Sequence, residues 1–98
     1  MTEIGKQVVF AGFTCNVSRA KYANGQNALT LIDSEDGTPI AVASVSMPNE
    51  QCADDEVFIK NYSENEGVLE ALVDAGYITP FDTIPAGFTV ITKCKLNG

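Results

Sequence analysis

The sequence contains no histidine and no tryptophan among its 98 residues. Histidine is the side chain whose pKa lies nearest neutrality and is the commonest metal ligand, so its absence excludes Ser-His-Asp and Cys-His catalysis. A phosphate-binding G-x-x-x-x-G-K pattern is also missing. We therefore expect a protein that is not an enzyme and that binds no metal and no cofactor.

Long apolar runs are missing as well. No stretch approaches the ~20 apolar residues that cross a bilayer. The first residues lack the basic start and apolar run of a secretion signal. Hydrophobic residues still make up 45% of the chain, enough for the core of one small domain. We expect a single domain over residues 1–98 that resides in the cytoplasm without contacting a membrane.

Cysteines are few, odd in number and far apart, and they form no C-x-x-C. Cys15 and Cys94 lie in alternating apolar segments, whereas Cys52 lies in a polar one. In a reducing cytosol we expect three free thiols, with Cys15 and Cys94 as small core residues and Cys52 in a loop where it can be exposed.

Basic residues are outnumbered, with 6 Lys and Arg against 13 Asp and Glu and a net charge of −7. Twelve of the carboxylates lie between Asp33 and Asp82, where Lys60 is the only base. Proteins bind nucleic acids and anionic membranes mainly through Lys and Arg. The charge balance therefore disfavours direct contact with either.

Alternation of apolar and polar residues predicts an antiparallel meander in the first half of the chain. Residues 7–17 alternate as one strand. Asn24-Gly25 predicts a tight two-residue hairpin turn before a strand over residues 28–32. A loop over residues 33–39 then leads to a further strand over residues 40–47.

A helix over residues 64–75 is the clearest local prediction, because apolar residues recur there at helical spacing. Ser63 and Glu66 form a capping box at its start, and Gly76 has the position of a left-handed residue at its end.

Short strands flank this helix. Residues 56–60 read as a strand before it, and residues 88–96 alternate as the last strand of the chain. We expect this last strand to pair with a strand of the first half. Residues 76–87 contain two prolines and are expected to form a loop or extended connection.

The predicted fold class is α+β, with an antiparallel twisted sheet of four to six strands and the one helix, at about residues 64–75, packed on it. A small, partly closed barrel with the helix as a plug is the alternative topology.

Three groups of carboxylates are candidates for a functional surface. The first resembles half of a calcium-binding loop, but its glycine comes one position too early. No nucleophile and base can be paired in any of them, so their expected role is charge pairing with Lys and Arg of a partner. The candidate residues are Asp33, Glu35 and Asp36; Asp54, Asp55 and Glu56; and Glu66, Glu70 and Asp74.

Three short motifs stand out in the second half. They are Phe58-Ile59-Lys60-Asn61-Tyr62-Ser63-Glu64-Asn65-Glu66-Gly67, then Leu69-Glu70-Ala71-Leu72 with Ala75-Gly76, and Pro85-x-Gly87-Phe88. Through them, residues 57–96 resemble a family of short uncharacterised proteins from bacteria, plasmids and phages. The resemblance implies a small accessory protein of a mobile genetic element and transfers no catalytic or ligand residue.

Charge and resemblance together lead to a working hypothesis. It is a non-enzymatic binding protein of a phage or other mobile element that inhibits a host nucleic-acid-targeting defence, in the manner of an anti-CRISPR protein. A dense carboxylate face steers quickly onto a Lys/Arg-lined channel. The expected partner is a basic surface of a host protein or nucleoprotein complex in the host cytoplasm. The hypothesis requires the acidic groups to converge on one face.

Two alternatives remain open at this point. The first is a homo-oligomeric structural or assembly protein in which a strand edge near residues 88–96 pairs with itself. The second is a protein that sequesters a nucleotide, for which a basic pocket would be needed. The residues available for that pocket are Lys6, Arg19, Lys21, Lys93 and Lys95.

Overall fold

The computed structural model describes residues 7–62 and 65–97, which form two antiparallel sheets and a helix. The elements are β1 (Val8–Phe10), β2 (Phe13–Lys21), β3 (Asn27–Asp33), β4 (Pro39–Val42), β5 (Glu56–Ile59), α1 (Val68–Asp74), β6 (Ile78–Ala86) and β7 (Thr89–Leu96). The first sheet has the order β1-β2-β3-β4 and the second the order β5-β7-β6. The α+β class with antiparallel strands and a helix is confirmed, and the strands divide between two sheets.

The segment predicted as one strand over residues 7–17 is instead the β1–β2 hairpin. Phe10 pairs with Phe13 across a turn at Ala11 and Gly12, whose φ angles are 54° and 84°. Two left-handed residues are what a two-residue type I′ turn requires. The turn moves the buried face from even-numbered to odd-numbered residues. The sequence pattern hides this change because residues 8–10 are all apolar.

The β2–β3 hairpin is confirmed, but its turn is longer than the expected two residues. The Tyr22 N–H donates to the Gln26 carbonyl at 2.8 Å, and the Gly25 N–H donates to the Tyr22 carbonyl at 2.9 Å. The Asn24 side-chain oxygen accepts a hydrogen bond from the Gln26 N–H at 3.1 Å. This side-chain bond stabilises the wider turn.

The predicted strand over residues 40–47 leaves the first sheet after β4. The Ala43 N–H donates to the Leu29 carbonyl of β3 at 2.9 Å, while the Ala43 carbonyl accepts from the Lys60 N–H at 2.8 Å. The Val45 N–H then donates to the Phe58 carbonyl of β5 at 3.0 Å. Ala43 therefore joins the two sheets through its own backbone.

Helix α1 ends as the sequence predicts. Gly76 has φ 83°, its N–H donates to the Val73 carbonyl at 3.0 Å, and the Tyr77 N–H donates to the Leu72 carbonyl at 3.0 Å. These two hydrogen bonds form a Schellman motif, which satisfies carbonyls that a helix end otherwise leaves unpaired.

The start of α1 lies later than the predicted residue 64. Gly67, with φ 95°, is the N-cap residue, so residues 65–67 precede the helix. The Asn61 side-chain oxygen accepts hydrogen bonds from the N–H groups of Gly67 and Leu69, each at 3.0 Å. The predicted capping box includes Ser63, which lies outside the described residues.

Residues 78–86, part of the segment expected as a loop or extended connection, form β6 along the edge of the second sheet. Pro80 pairs with Cys94 and Pro85 with Val90, with a register shift between Pro80 and Asp82. The extra residue, Phe81, compensates for the odd spacing of the two prolines. Both ring nitrogens therefore face away from β7, where no hydrogen bond of the ladder is lost.

Strand β7 lies in the middle of the second sheet, between β5 and β6. The expectation that it pairs with a strand of the first half was wrong. Periodicity reports which face of a strand is buried but not which strand lies beside it.

Helix α1 packs against the outermost strands β1 and β6 of the two sheets. The main core lies between these elements, and Cys15 and Cys94 are fully buried in it, as expected. Its buried members are Val8, Phe10, Cys15, Leu29, Leu31, Ala43, Val57, Ile59, Val68, Leu72, Ile78 and Cys94.

The other face of the second sheet carries Phe58 and Ile91, which are buried outside the main core. The connection over residues 43–55 lies against this face. Gln26 fixes the connection, because its side chain donates to the Met47 carbonyl and accepts from the Met47 N–H, both at 2.8 Å. The Asn27 amide donates to the carbonyls of Asp54 at 2.8 Å and Glu56 at 2.7 Å. The connection therefore covers the part of this face around Phe58 and Ile91, whereas Phe81 of β6 remains about half exposed.

Helix α1, the helix that the structure describes, is too short to cross a membrane.

Candidate functional site

The first group of predicted site residues builds the β3–β4 turn. The Asp33 carboxylate accepts a hydrogen bond from the Glu35 N–H at 2.8 Å, and the Asp36 carboxylate accepts one from the Thr38 N–H at 2.9 Å. The bond from the Thr38 backbone, followed by one from its side chain, lowers the pKa of Asp36. Glu35 and Asp36 are exposed at the surface, and Asp33 is half-buried.

The second group lies at the start of β5 and is largely neutralised. Asp55 and Lys95 form an ion pair at 3.5 Å, and Glu56 and Lys93 form another at 3.5 Å. Glu56 is also half-buried, so it presents little negative charge to a partner. Of this group, Asp54 is exposed and makes no ion pair with the described residues.

The first and second groups lie at opposite ends of β3. Asn27, at one end of β3, donates hydrogen bonds to the carbonyls of Asp54 and Glu56. Asp33 is the last residue of the same strand. Six steps along a strand cover about 20 Å. The two groups therefore do not form one acidic surface, and the convergence that the working hypothesis required is not observed for them.

The third group lies at α1, with Glu70 and Asp74 inside the helix and Glu66 just before its Gly67 N-cap. Glu66, Glu70 and Asp74 are exposed and recur every four residues, so Glu70 and Asp74 share one face of the helix. None of them forms an ion pair with any residue in the ranges 7–62 and 65–97. Glu70 lies in the first turn, where it complements the helix dipole, but Asp74 lies in the last turn, which contains no base. The first group also forms no ion pair among the described residues, but its Asp33 and Asp36 carboxylates accept backbone hydrogen bonds within the β3–β4 turn.

A groove of about 590 Å³, which the sequence did not predict, is lined by Gln51, Cys52, Ala53, Glu56 and Lys93. The Lys93 ammonium lies 5.8 Å from the centre of the Phe58 ring and 5.8 Å from that of Phe81. Such cation–π contacts, together with the Glu56 carboxylate, fix the lysine in place. No local sequence pattern predicts this arrangement, because its residues come from three different strands.

Cys52 contributes a neutral thiol to that groove. Its Sγ donates to the Glu56 carbonyl at 3.2 Å. Burial, and next the negative charge of Glu56, raise the pKa of Cys52. A nucleophilic cysteine needs a lowered pKa, so the surroundings of this thiol do not activate it.

The bases required for a nucleotide pocket are not assembled. Lys93 and Lys95 face Glu56 and Asp55, while Arg19 and Lys21 are exposed on β2. Lys6 lies outside the described residues.

Within the described ranges, no three Asp, Glu or Cys side chains come together in a way that would hold a metal ion. No protein-family model, no curated protein and no solved structure matches the chain. These comparisons therefore identify no family for this chain.

Proposed function

We propose that this chain is a non-enzymatic binding protein that uses exposed carboxylates to engage a basic surface of a protein or nucleoprotein partner. The observation that carries this proposal is the acidic face of α1, which consists of Glu70 and Asp74 of the helix together with Glu66 in the segment just before it. These side chains are exposed, and within the described residues no base neutralises them.

The carboxylates of the acidic face destabilise α1. Like charges four residues apart, as at Glu70 and Asp74, destabilise a helix by ~0.2–0.5 kcal/mol. A carboxylate at the negative end of the helix dipole adds an unfavourable term of about 0.3–1 kcal/mol. Lys or Arg side chains of a partner would convert both terms into favourable ones. Functional surfaces often carry such local destabilisation.

Glu35 and Asp36, exposed in the β3–β4 turn, are proposed as a second, smaller acidic contact. Asp55 and Glu56 are removed from the proposal, because their charges are already paired with Lys95 and Lys93. Asp33 keeps a structural role, since its carboxylate closes the turn.

The proposed partner is a Lys/Arg-lined channel of a host nucleic-acid-targeting defence complex of CRISPR type, engaged in the host cytoplasm by a protein of a phage or other mobile element. The resemblance of residues 57–96 to short proteins of such elements supports this context. The net charge of −7 supports the choice of a basic protein surface over nucleic acid. Carboxylates also give rapid, long-range steering to such a channel.

The test measures inhibition of nucleic-acid cleavage by purified defence complexes, together with binding at about 50 and 300 mM salt. We expect binding that weakens as salt rises. The variant Glu66→Gln/Glu70→Gln/Asp74→Asn is expected to lose most of the binding because it removes three charges from the proposed contact.

The matched control is Glu50→Gln/Asp54→Asn/Asp82→Asn, which changes the net charge equally but leaves α1 intact. It is expected to bind nearly as well as the wild-type protein. An equal loss of binding in both triple variants would show that only the net charge matters. Unchanged binding of the α1 variant would contradict the proposed surface.

Self-pairing through β7, one of the open alternatives, is not proposed. Both edges of β7 are occupied by β5 and β6.

A further inference from the structure

The most exposed apolar side chain of the described residues is Phe88, at the tip of the β6–β7 hairpin. Gly87, with φ 67°, occupies the first position of the two-residue turn, and Phe88 the second. The Phe88 side chain is fully exposed, and Val90 beside it is half exposed. Turn positions favour small polar residues, so the fold itself does not require phenylalanine there.

A groove of about 320 Å³ lies beside this tip. Two of its lining residues, Ala86 and Ile91, belong to the strands that carry the turn. Apolar side chains of the β4–β5 connection, with Tyr62, form the opposite wall. The apolar lining residues are Val45, Met47, Pro48, Tyr62, Ala86 and Ile91. Gln26 holds Met47 through both its N–H and its carbonyl, so this wall is fixed before anything binds.

We propose that the groove receives Phe88 of a second copy of this chain, in a two-fold dimer where each Phe88 enters the groove of the other. Phe88 and the groove lie side by side, so a two-fold axis between them makes both insertions at once. The phenyl ring is smaller than the groove, and its own chain leaves it fully exposed.

Charge favours a second copy at this face. Residues 83–97 contain no carboxylate, although the whole chain has 13. Two chains of net charge −7 repel each other least when they meet through a surface without acidic residues. Among the described residues that line the groove, Glu50 is the one carboxylate.

The alternative route to a dimer, pairing of β6 edges, is closed. Pro80 and Pro85 have no N–H to offer at the free edge. The N–H of Thr83, which also faces that edge, donates instead to the Asp82 carboxylate at 2.8 Å. Contact between copies at this hairpin therefore proceeds through side chains.

Two inserted phenylalanines with their surroundings bury less than the ~1,200 Å² typical of stable complexes. We therefore expect a weak dimer with a dissociation constant of about 10 µM to 1 mM. The proposal is independent of the acidic face of α1. Apolar association should strengthen with added salt, which screens the repulsion between copies, whereas a complex with the proposed basic partner should weaken.

Sedimentation equilibrium over about 1 µM to 1 mM protein tests the dimer. The wild-type protein should self-associate, and Phe88→Ala should raise the dissociation constant by ~100-fold or more, because two buried rings are lost. Val9→Ala, which truncates an exposed apolar residue on β1, should leave it unchanged. A wild-type monomer throughout this range, or equal association of wild-type and Phe88→Ala, would overturn the proposal.

Complementation adds a second test. Ala86→Trp fills the groove but keeps Phe88, whereas Phe88→Ala keeps the groove. Mixed together, the two variants should form a heterodimer through one insertion, although neither associates alone. Thermal unfolding establishes that each variant is folded, and a mixture that stays monomeric at a protein concentration more than about 10-fold above the wild-type dissociation constant would count against insertion. If Ala86→Trp does not fold, the proposed dimer is tested by the sedimentation equilibrium of Phe88→Ala and Val9→Ala alone.

Discussion

The side-chain oxygen of Asn61 accepts a hydrogen bond from the Leu69 N–H, eight residues further along the chain, at 3.0 Å. The same oxygen accepts from the Gly67 N–H. Asn61 therefore performs from outside the helix the task that an N-cap side chain usually performs, since the N-cap residue itself is a glycine.

Substitution of Asn61 by alanine should destabilise the protein. Two backbone N–H groups lose their acceptor, and the loss of a single cap typically costs about 1–2 kcal/mol. Asn61→Asp should keep most of the stability, because a carboxylate accepts the same bonds and complements the helix dipole. Urea unfolding of both variants, with the exposed Asn49→Ala as a control, measures the difference. Equal stability of Asn61→Ala and Asn49→Ala would show that the cap contributes nothing.

Replacement of Ala11 by glycine should stabilise the β1–β2 hairpin. Ala11 has φ 54°, a left-handed conformation that alanine adopts at a cost of about 1 kcal/mol. Glycine adopts it freely, so we expect a gain of roughly 0.5–1 kcal/mol. Ala20→Gly, at an exposed position of β2, should instead lose a similar amount. Thermal unfolding distinguishes the two variants. A loss of stability in Ala11→Gly would show that the left-handed backbone at Ala11 is not strained.

Neutralisation of Asp74 should make the isolated protein more stable. Asp74→Asn removes both the unfavourable charge in the last turn of α1 and the repulsion from Glu70, for a gain of about 0.5–1.5 kcal/mol. Asp82→Asn, the same change of charge outside the helix, should gain less. Urea unfolding at low salt measures both, and the difference should shrink in about 1 M salt. A destabilised Asp74→Asn would show that this carboxylate supports the fold.

The stability of the protein should fall as pH rises through the alkaline range. Burial raises the pKa of Cys94 to about 12. A thiol in the unfolded chain ionises near its ordinary pKa of ~8.5. Since the folded pKa lies above the unfolded one, the stabilisation is complete below about pH 8.5 and is lost progressively up to the folded pKa.

Between about pH 8.5 and 10 this loss amounts to ~2 kcal/mol for Cys94. Urea unfolding across that range should show a steeper decline for the wild-type protein than for Cys94→Ala. The alanine variant begins from a lower stability because of the cavity that it leaves. Parallel declines in the two proteins would contradict the role of this thiol.

Local features of the sequence predicted several elements correctly. Gly76 marked the end of α1, and the alternation of residues 88–96 marked β7, because each depends on neighbouring residues alone. The two-proline segment was not recognised as β6, because the Phe81 register shift that accommodates both prolines exists only in the pairing with β7. Pairing partners depend on contacts between distant residues that a local pattern does not encode.

In the candidate surface, too, the features that depend on neighbouring residues were predicted and those that depend on distant residues were not. Exposure of Glu70 and Asp74 followed from their helical spacing, whereas Glu66 is exposed in the segment before the helix. The neutralisation of Asp55 by Lys95 did not, because 40 residues separate the two in the chain. Net charge per segment therefore overestimated how much of the acidic stretch presents free charge to a partner.

The central place of β7 in the second sheet affects how the chain folds during synthesis. Strands β1 to β4 are neighbours in both sequence and space, so the first sheet can assemble from hairpins as the chain emerges from the ribosome. Strands β5 and β6 have no β7 to pair with until Leu96 has been made. Until then the side chains of Phe58 and Ile91 are not buried. A chain whose synthesis is interrupted would leave these apolar side chains exposed and prone to aggregate.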